Sequence, residues 1–146
     1  MKTKRHALGL GAALLALASG NALAAEHEVK MLNKGADGNF IFEPGYLKAA
    51  KGDTVKFVPV DMTHQPQSEV APAGVAWKGE MNKPFTVTLA SEGVYVYSCL
   101  PHKTMGMVGV IQAGAPVNLA AAKEAAAGIK IAQNKDRLDK YLAQVK

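Results

Sequence analysis

Hydrophobic and polar positions follow three patterns along this chain, and each predicts a different kind of structure. Residues 7–18 form an unbroken block of alanine, leucine and glycine. From 25 to 113 the apolar positions come in short runs divided by glycine, proline, asparagine and aspartate, the residues of turns. Runs at 28–32, 40–42, 46–49, 54–60, 85–89, 94–98 and 108–113 read as β-strands. Alternation is strict at 85–89, where Phe85, Val87 and Leu89 share one face and Thr86 and Thr88 the other. In 54–60, Val55 and Phe57 oppose Thr54, Lys56 and Val58. Pro59 places that strand at a sheet edge or at its own end, because proline has no N–H for a ladder. Residues 61–83 carry two prolines and two glycines and read as irregular, with at most a brief pairing at 75–77.

Beyond 113 the period changes. Asn118 is placed to cap a helix over 119–127 that Gly128 stops, and Asn134 to cap a second over 135–145. In the second, Leu138, Tyr141, Leu142 and Val145 form one stripe opposite alternating charges, so the stripe is expected to pack on the rest of the domain. Short strands at close spacing predict an all-β antiparallel sandwich or barrel, here with a helical extension at 118–146. Residues 25–146 read as one domain.

The leading block changes the reading of charge and location. Lys2, Lys4 and Arg5 precede it, and Ala22-Leu23-Ala24 supplies the small-x-small pattern of a signal peptidase site. Its length falls well short of the ~20 residues a membrane span needs. Residues 1–24 are therefore read as a cleaved secretory signal, leaving a soluble exported chain that begins at Ala25 and has no membrane attachment. Without them the formal charge falls from +5 to +2, which excludes the concentrated basic footprint of a nucleic-acid binder. Export implies an oxidising compartment, yet Cys99 is the only cysteine and has no disulfide partner in the chain. It is left as a buried thiol, an intermolecular link or a metal ligand.

The residues around Cys99 bear on that choice. Between two predicted strands, segment 99–107 holds a thiol, the His102 imidazole three residues on, and the thioethers of Met105 and Met107. His64 follows the 54–60 strand after a short turn and is the competitive second imidazole. His6 leaves with the signal, and His27 lies between two glutamates near the mature N-terminus, where a solvated role is expected. Singly, these side chains read as a loop histidine, a core thiol and packing methionines. Together, His64, Cys99, His102 and Met107 match a trigonal His₂Cys set with a long axial thioether, which accommodates both oxidation states of copper. Zinc is disfavoured by the thioether. Cys99 is flanked by Ser98 and Leu100, so no neighbouring imidazole bridges to a second metal, and no spare histidine completes a nucleophilic triad. The reading is a carrier and not an enzyme.

These motifs resemble a known family. Cys-x-Pro-His followed by Met-Gly-Met, after Gly93-Val94-Tyr95-Val96-Tyr97, is similar to the small blue copper proteins, the cupredoxins, and within them to the pseudoazurins. Met31-Leu32-Asn33-Lys34-Gly35 with Phe42-Glu43-Pro44, the run 105–110, Asn118-Leu119 and Arg137-Leu138-Asp139 extend the likeness over 25–146. The resemblance implies a cupredoxin-like Greek-key β-sandwich and one type 1 copper on His64, Cys99, His102 and Met107, with Met105 a neighbour. It further implies a monomeric periplasmic electron carrier whose partners are c-type cytochromes or a denitrification reductase such as copper nitrite reductase. His102 is the expected exit for electrons, within an apolar collar of Pro101, Met105 and Met62. Lys34, Lys78 and Lys103 form a basic surround that steers acidic partners. The alternative is a periplasmic copper-buffering or copper-delivery protein, although such proteins use open Met- and His-rich sites. Two positions depart from the family's pattern: Gln65 where asparagine is typical, and Leu100 where serine or threonine is typical. The two ligand loops are therefore expected to be joined by other groups.

Overall fold

A computed structural model describes residues 22–146, so the expected signal at 1–24 lies almost wholly outside the described residues. Eight strands form two four-stranded sheets. In the first, β1 (Glu26–Gly35), β2 (Gly38–Glu43), β4 (Thr54–Pro59) and β6 (Phe85–Thr88) stand in the order β2-β1-β4-β6. In the second, β3 (Tyr46–Ala49), β5 (Pro66–Val70), β7 (Gly93–Cys99) and β8 (Val108–Ala113) stand in the order β3-β8-β7-β5. Two helices follow, α1 (Leu119–Ala127) and α2 (Arg137–Leu142). The expected sandwich with a helical extension is what the chain forms. Its sheets are mixed rather than antiparallel throughout, because β1 runs parallel to β4 and β3 parallel to β8.

Side-chain parity along β7 and β8 explains their uninterrupted apolar sequence. Successive residues of a strand point to opposite faces, and here both faces are covered. Tyr95, Tyr97, Cys99, Ile111 and Ala113 enter the core between the sheets with Val29, Met31, Phe42, Val55 and Phe57. Val94, Val96, Val108 and Val110 face the other way and are sealed by Ala122, Ala126, Leu138, Tyr141 and Leu142 of the helices. The same parity sends Cys99 and Met107 into the space between the sheets.

The structure corrects the sequence reading at three further places and decides between two alternatives at a fourth. The stretch read as irregular contains β5, an edge strand that pairs antiparallel with β7 and is interrupted by a register shift between Ser68 and Val70. Pro66 opens it, where a missing N–H costs nothing, and its polar run Gln67-Ser68-Glu69 hides the strand from a hydrophobicity pattern. Of the two readings of Pro59, the strand's own end is the one that holds: Pro59 is the last residue of β4, which is a central strand. Asn118 precedes α1 without capping it: its side-chain oxygen accepts from Val94 N at 2.6 Å and its amide donates to Val94 O at 3.0 Å. Asn134 does not cap α2 either, which begins only at Arg137.

Candidate metal centre

Two connections bring the predicted donors together at one end of the sandwich. The first leaves β4 and reaches His64 through Thr63, whose φ of +73° lies in the left-handed region. Asn82 holds this turn: its side-chain oxygen accepts from the Thr63 and His64 N–H groups, and its own N–H donates to His64 O at 2.8 Å. The second is the 99–107 loop. Cys99 closes β7, a 3₁₀ turn (Leu100–Met105) carries His102, and Gly106, at φ +81°, reverses the chain into β8. Cys99 N–H donates to Met107 O at 2.9 Å and Met107 N–H to His102 O at 3.2 Å, so the loop is braced across its own mouth.

Further bonds lock the two connections to each other. Leu100 N–H donates to Gln65 O at 2.9 Å, and Gln65 N–H points at Cys99 Sγ at 3.5 Å. The Gln65 side-chain amide donates to Gly79 O at 2.8 Å. Where the sequence departs at Gln65 and Leu100, the joint is thus made by backbone groups and by the 79–82 segment.

His64, Cys99 and His102 are brought together as expected. Cys99 Sγ lies 3.7 Å from His64 Nδ1 and 3.6 Å from His102 Nδ1. Metal–sulfur and metal–nitrogen bonds of ~2.3 and ~2.0 Å give an S···N edge of about 3.5–3.8 Å for angles between tetrahedral and trigonal. The spacing therefore fits a metal ion among the three. The His64 ring is fully buried, and its Nε2 has no partner, so the ring's polar contact is through Nδ1 toward the sulfur. Met107 is also fully buried and packs in the core cluster that contains Cys99.

Burial sets the protonation of these donors. It pushes the Cys99 thiol up, against a smaller opposing effect of the Gln65 and His102 N–H groups. Burial also lowers His64, helped by the neighbouring His102, and lowers His102. Both imidazoles are thus held neutral with a lone pair available, and the thiol would have to give up its proton to ligate a metal.

His102 keeps 9% of its surface exposed, so it is nearly buried but is the one member of the trio that reaches solvent. Its ring stacks on Phe40, with centroids 4.2 Å apart and planes 23° from parallel. Of the expected collar, Pro101 and Met62 are exposed and Met105 is half-buried, while Leu100 adds a further exposed apolar side chain at 42%. Of the expected basic surround, Lys34 and Lys78 are exposed, but Lys103 is paired with Glu69 at 3.0 Å, which also accepts from Ser98 and Gln67. His27 is not merely solvated: its Nε2 lies 2.8 Å from Asp53 Oδ2.

Comparison with known proteins accords with this geometry. Residues 29–114 match the model of copper binding proteins of the plastocyanin/azurin family. A pseudoazurin of Paracoccus pantotrophus is 43% identical over 144 residues, 96% of this chain and 97% of its own. The chain belongs to the pseudoazurin family. A pseudoazurin of Methylorubrum extorquens is 37% identical over 143 residues, 93% of this chain and 95% of the relative. The crystal structure of native pseudoazurin from Hyphomicrobium denitrificans superposes with a TM-score of 0.73 at 43% identity, covering 83% of this chain and 98% of its own. A pseudoazurin is a copper electron-transfer protein and not an enzyme, and the fold is the cupredoxin sandwich. Both loops lie within the 29–114 match, whereas α1 and α2 lie beyond it.

Sequence reasoning missed Phe40 and Asn82. Neither sits in a metal-ligand motif. The available signal was the local Gly38-Asn39-Phe40 and Met81-Asn82-Lys83 turn chemistry, which marks backbone reversals but not what they hold.

Proposed function

We propose that this chain is an exported single-electron carrier that holds one copper between His64, Cys99 and His102, with the Met107 thioether as axial ligand. Copper in such a set supplies a one-electron couple between Cu(I) and Cu(II). The convergence of Cys99 Sγ with two Nδ1 atoms at 3.7 and 3.6 Å carries the reading. Asn82, Gln65 and the braced loop fix the donors from separate sides, so they need not rearrange between oxidation states. His102 offers the route out, since it alone of the three donors reaches solvent and its chain neighbours Leu100 and Pro101 are exposed apolar residues that a partner can cover. Small interfaces of this kind suit weak, short-lived redox encounters. Lys34 and Lys78 are exposed and form no ion pair among the described residues, which suits them to steer an acidic partner, with Lys103 partly committed to Glu69.

By family likeness the partners are c-type cytochromes or a denitrification reductase such as copper nitrite reductase, met in the periplasm by a monomer. No helix among the described residues is long and apolar enough to cross a membrane. Ala25 N lies 2.9 Å from Asp53 Oδ1. Cleavage after Ala24 would place the new ammonium group on that carboxylate, which favours this processing site.

Adding Cu(II) to purified 25–146 tests the reading. One equivalent produces an intense visible charge-transfer band, which Cys99→Ala abolishes and His27→Ala retains. A colourless product, or colour that survives Cys99→Ala, contradicts it.

A further inference from the structure

Resting on the ligand reading above, we propose that the segment 132–137 is a clamp that sets the position of the metal loop, with Arg137 as its positioning residue. Three consecutive carbonyls of that loop accept hydrogen bonds from the segment. Ala132 N–H and Gln133 N–H donate to Thr104 O at 2.7 and 3.1 Å. The Asn134 amide donates to Met105 O at 3.0 Å, and Arg137 Nη1 to Gly106 O at 2.7 Å. The approach is so close that a Cβ at Gly106 would lie 2.6 Å from Gln133 O, at a φ of +81° that side chains rarely adopt. Only glycine permits it.

Arg137 joins a third segment to these two. Nη1 also donates to Phe40 O at 3.0 Å, and Nη2 donates to Asp37 O and Asn39 O at 3.0 and 3.2 Å. The residue is only 5% exposed, and among the described residues it forms no ion pair. The Asp37 carboxylate is instead engaged by the Tyr141 hydroxyl. A buried charge is tolerated when its donors are satisfied, and here the planar fork is spent on backbone carbonyls of the metal loop and of the turn and first residues of β2. One of them belongs to Phe40, whose ring lies on His102; the other belongs to Gly106, adjacent to Met107. A single rigid guanidinium therefore fixes the packing of one ligand and the backbone beside another. Lysine, with its point charge on a flexible stem, cannot reproduce that geometry.

The test compares wild type, Arg137→Lys and Asn134→Ala. Each is loaded with Cu(II) for its visible spectrum and for competition against a copper chelator. Each is also examined free of metal, by hydrogen exchange at the Gly106 and Met107 amides. In Arg137→Lys, copper affinity falls about 10–100-fold, the usual effect of losing an outer partner of a metal site. The ratio of its charge-transfer bands shifts, and both amides exchange faster. Asn134→Ala, which removes one exposed tether, shifts all three in the same direction by less, and decides the matter if Arg137→Lys does not fold. Wild-type values throughout overturn the proposal. Faster exchange with unchanged bands and affinity overturns it too, since the segment then stiffens the loop without placing ligands. A wild-type protein with no band refutes the ligand reading instead, and in that event unchanged amide exchange refutes the clamp as well.

Discussion

Phe40 adopts a φ of +49°, in the left-handed region where a bulky side chain is an outlier, and it does so with its ring stacked on His102. Such backbone strain is about 1–3 kcal/mol and is maintained only by surrounding structure. Glycine carries no such penalty, although in an ordinary strand it is worse than alanine by about 0.5–1 kcal/mol. Phe40→Gly is therefore expected to be more stable than Phe40→Ala by about 1 kcal/mol, the reverse of the strand rule, in urea unfolding of the metal-free protein. Equal stabilities would show that this conformation is not strained. Asp53 acts at the opposite end of β1. Its carboxyl is lowered to about 2, chiefly by His27 and then by the Ala50 and Ala25 N–H groups. An unfolded aspartate titrates near ~3.9. The folded value lies below the unfolded one, so this stabilisation is complete above about pH 4–5 and is lost as pH falls through about 2. Asp53→Asn should lower the melting temperature at pH 7 and flatten the decline between pH 4 and pH 2; parallel curves for both proteins would exclude the role.

At the scale of elements, the helices seal an outer sheet face that would otherwise expose Val94, Val96, Val108 and Val110. Leu138 is buried within that seal, and Leu138→Ala should cost about 2–5 kcal/mol in urea unfolding. A loss below 1 kcal/mol would mean that α2 is not integral to the fold. The strands with a hydrophobic signature were legible because burial writes itself into their side chains, and the stripe of α2 was legible for the same reason. β5 was not, since an edge strand with a polar run is held by its ladder to β7 and carries little apolar signal. Asn118 and Asn134 showed the right residue type for a cap, but tertiary partners took their side chains: Val94 in one case and the Met105 carbonyl in the other.

At the scale of the whole molecule, the metal-binding end is assembled from segments far apart in the chain. Its donors were legible because a thiol, imidazoles and thioethers are rare together and the 99–107 spacing is compact. The groups that hold them were not, because Asn82, Phe40 and Arg137 act through backbone atoms and stacking that no spacing encodes. What those groups build is a set of donors already in place, two imidazoles and a thiol converging from two braced loops that are also bonded to each other. X-ray absorption at the copper edge of the loaded protein, recorded at neutral pH in both oxidation states, tests this most directly. The account predicts one sulfur and two nitrogens at bonding distance in Cu(II) and the same three atoms, little displaced, in Cu(I). A shell without sulfur, or one that loses a donor on reduction, would contradict it.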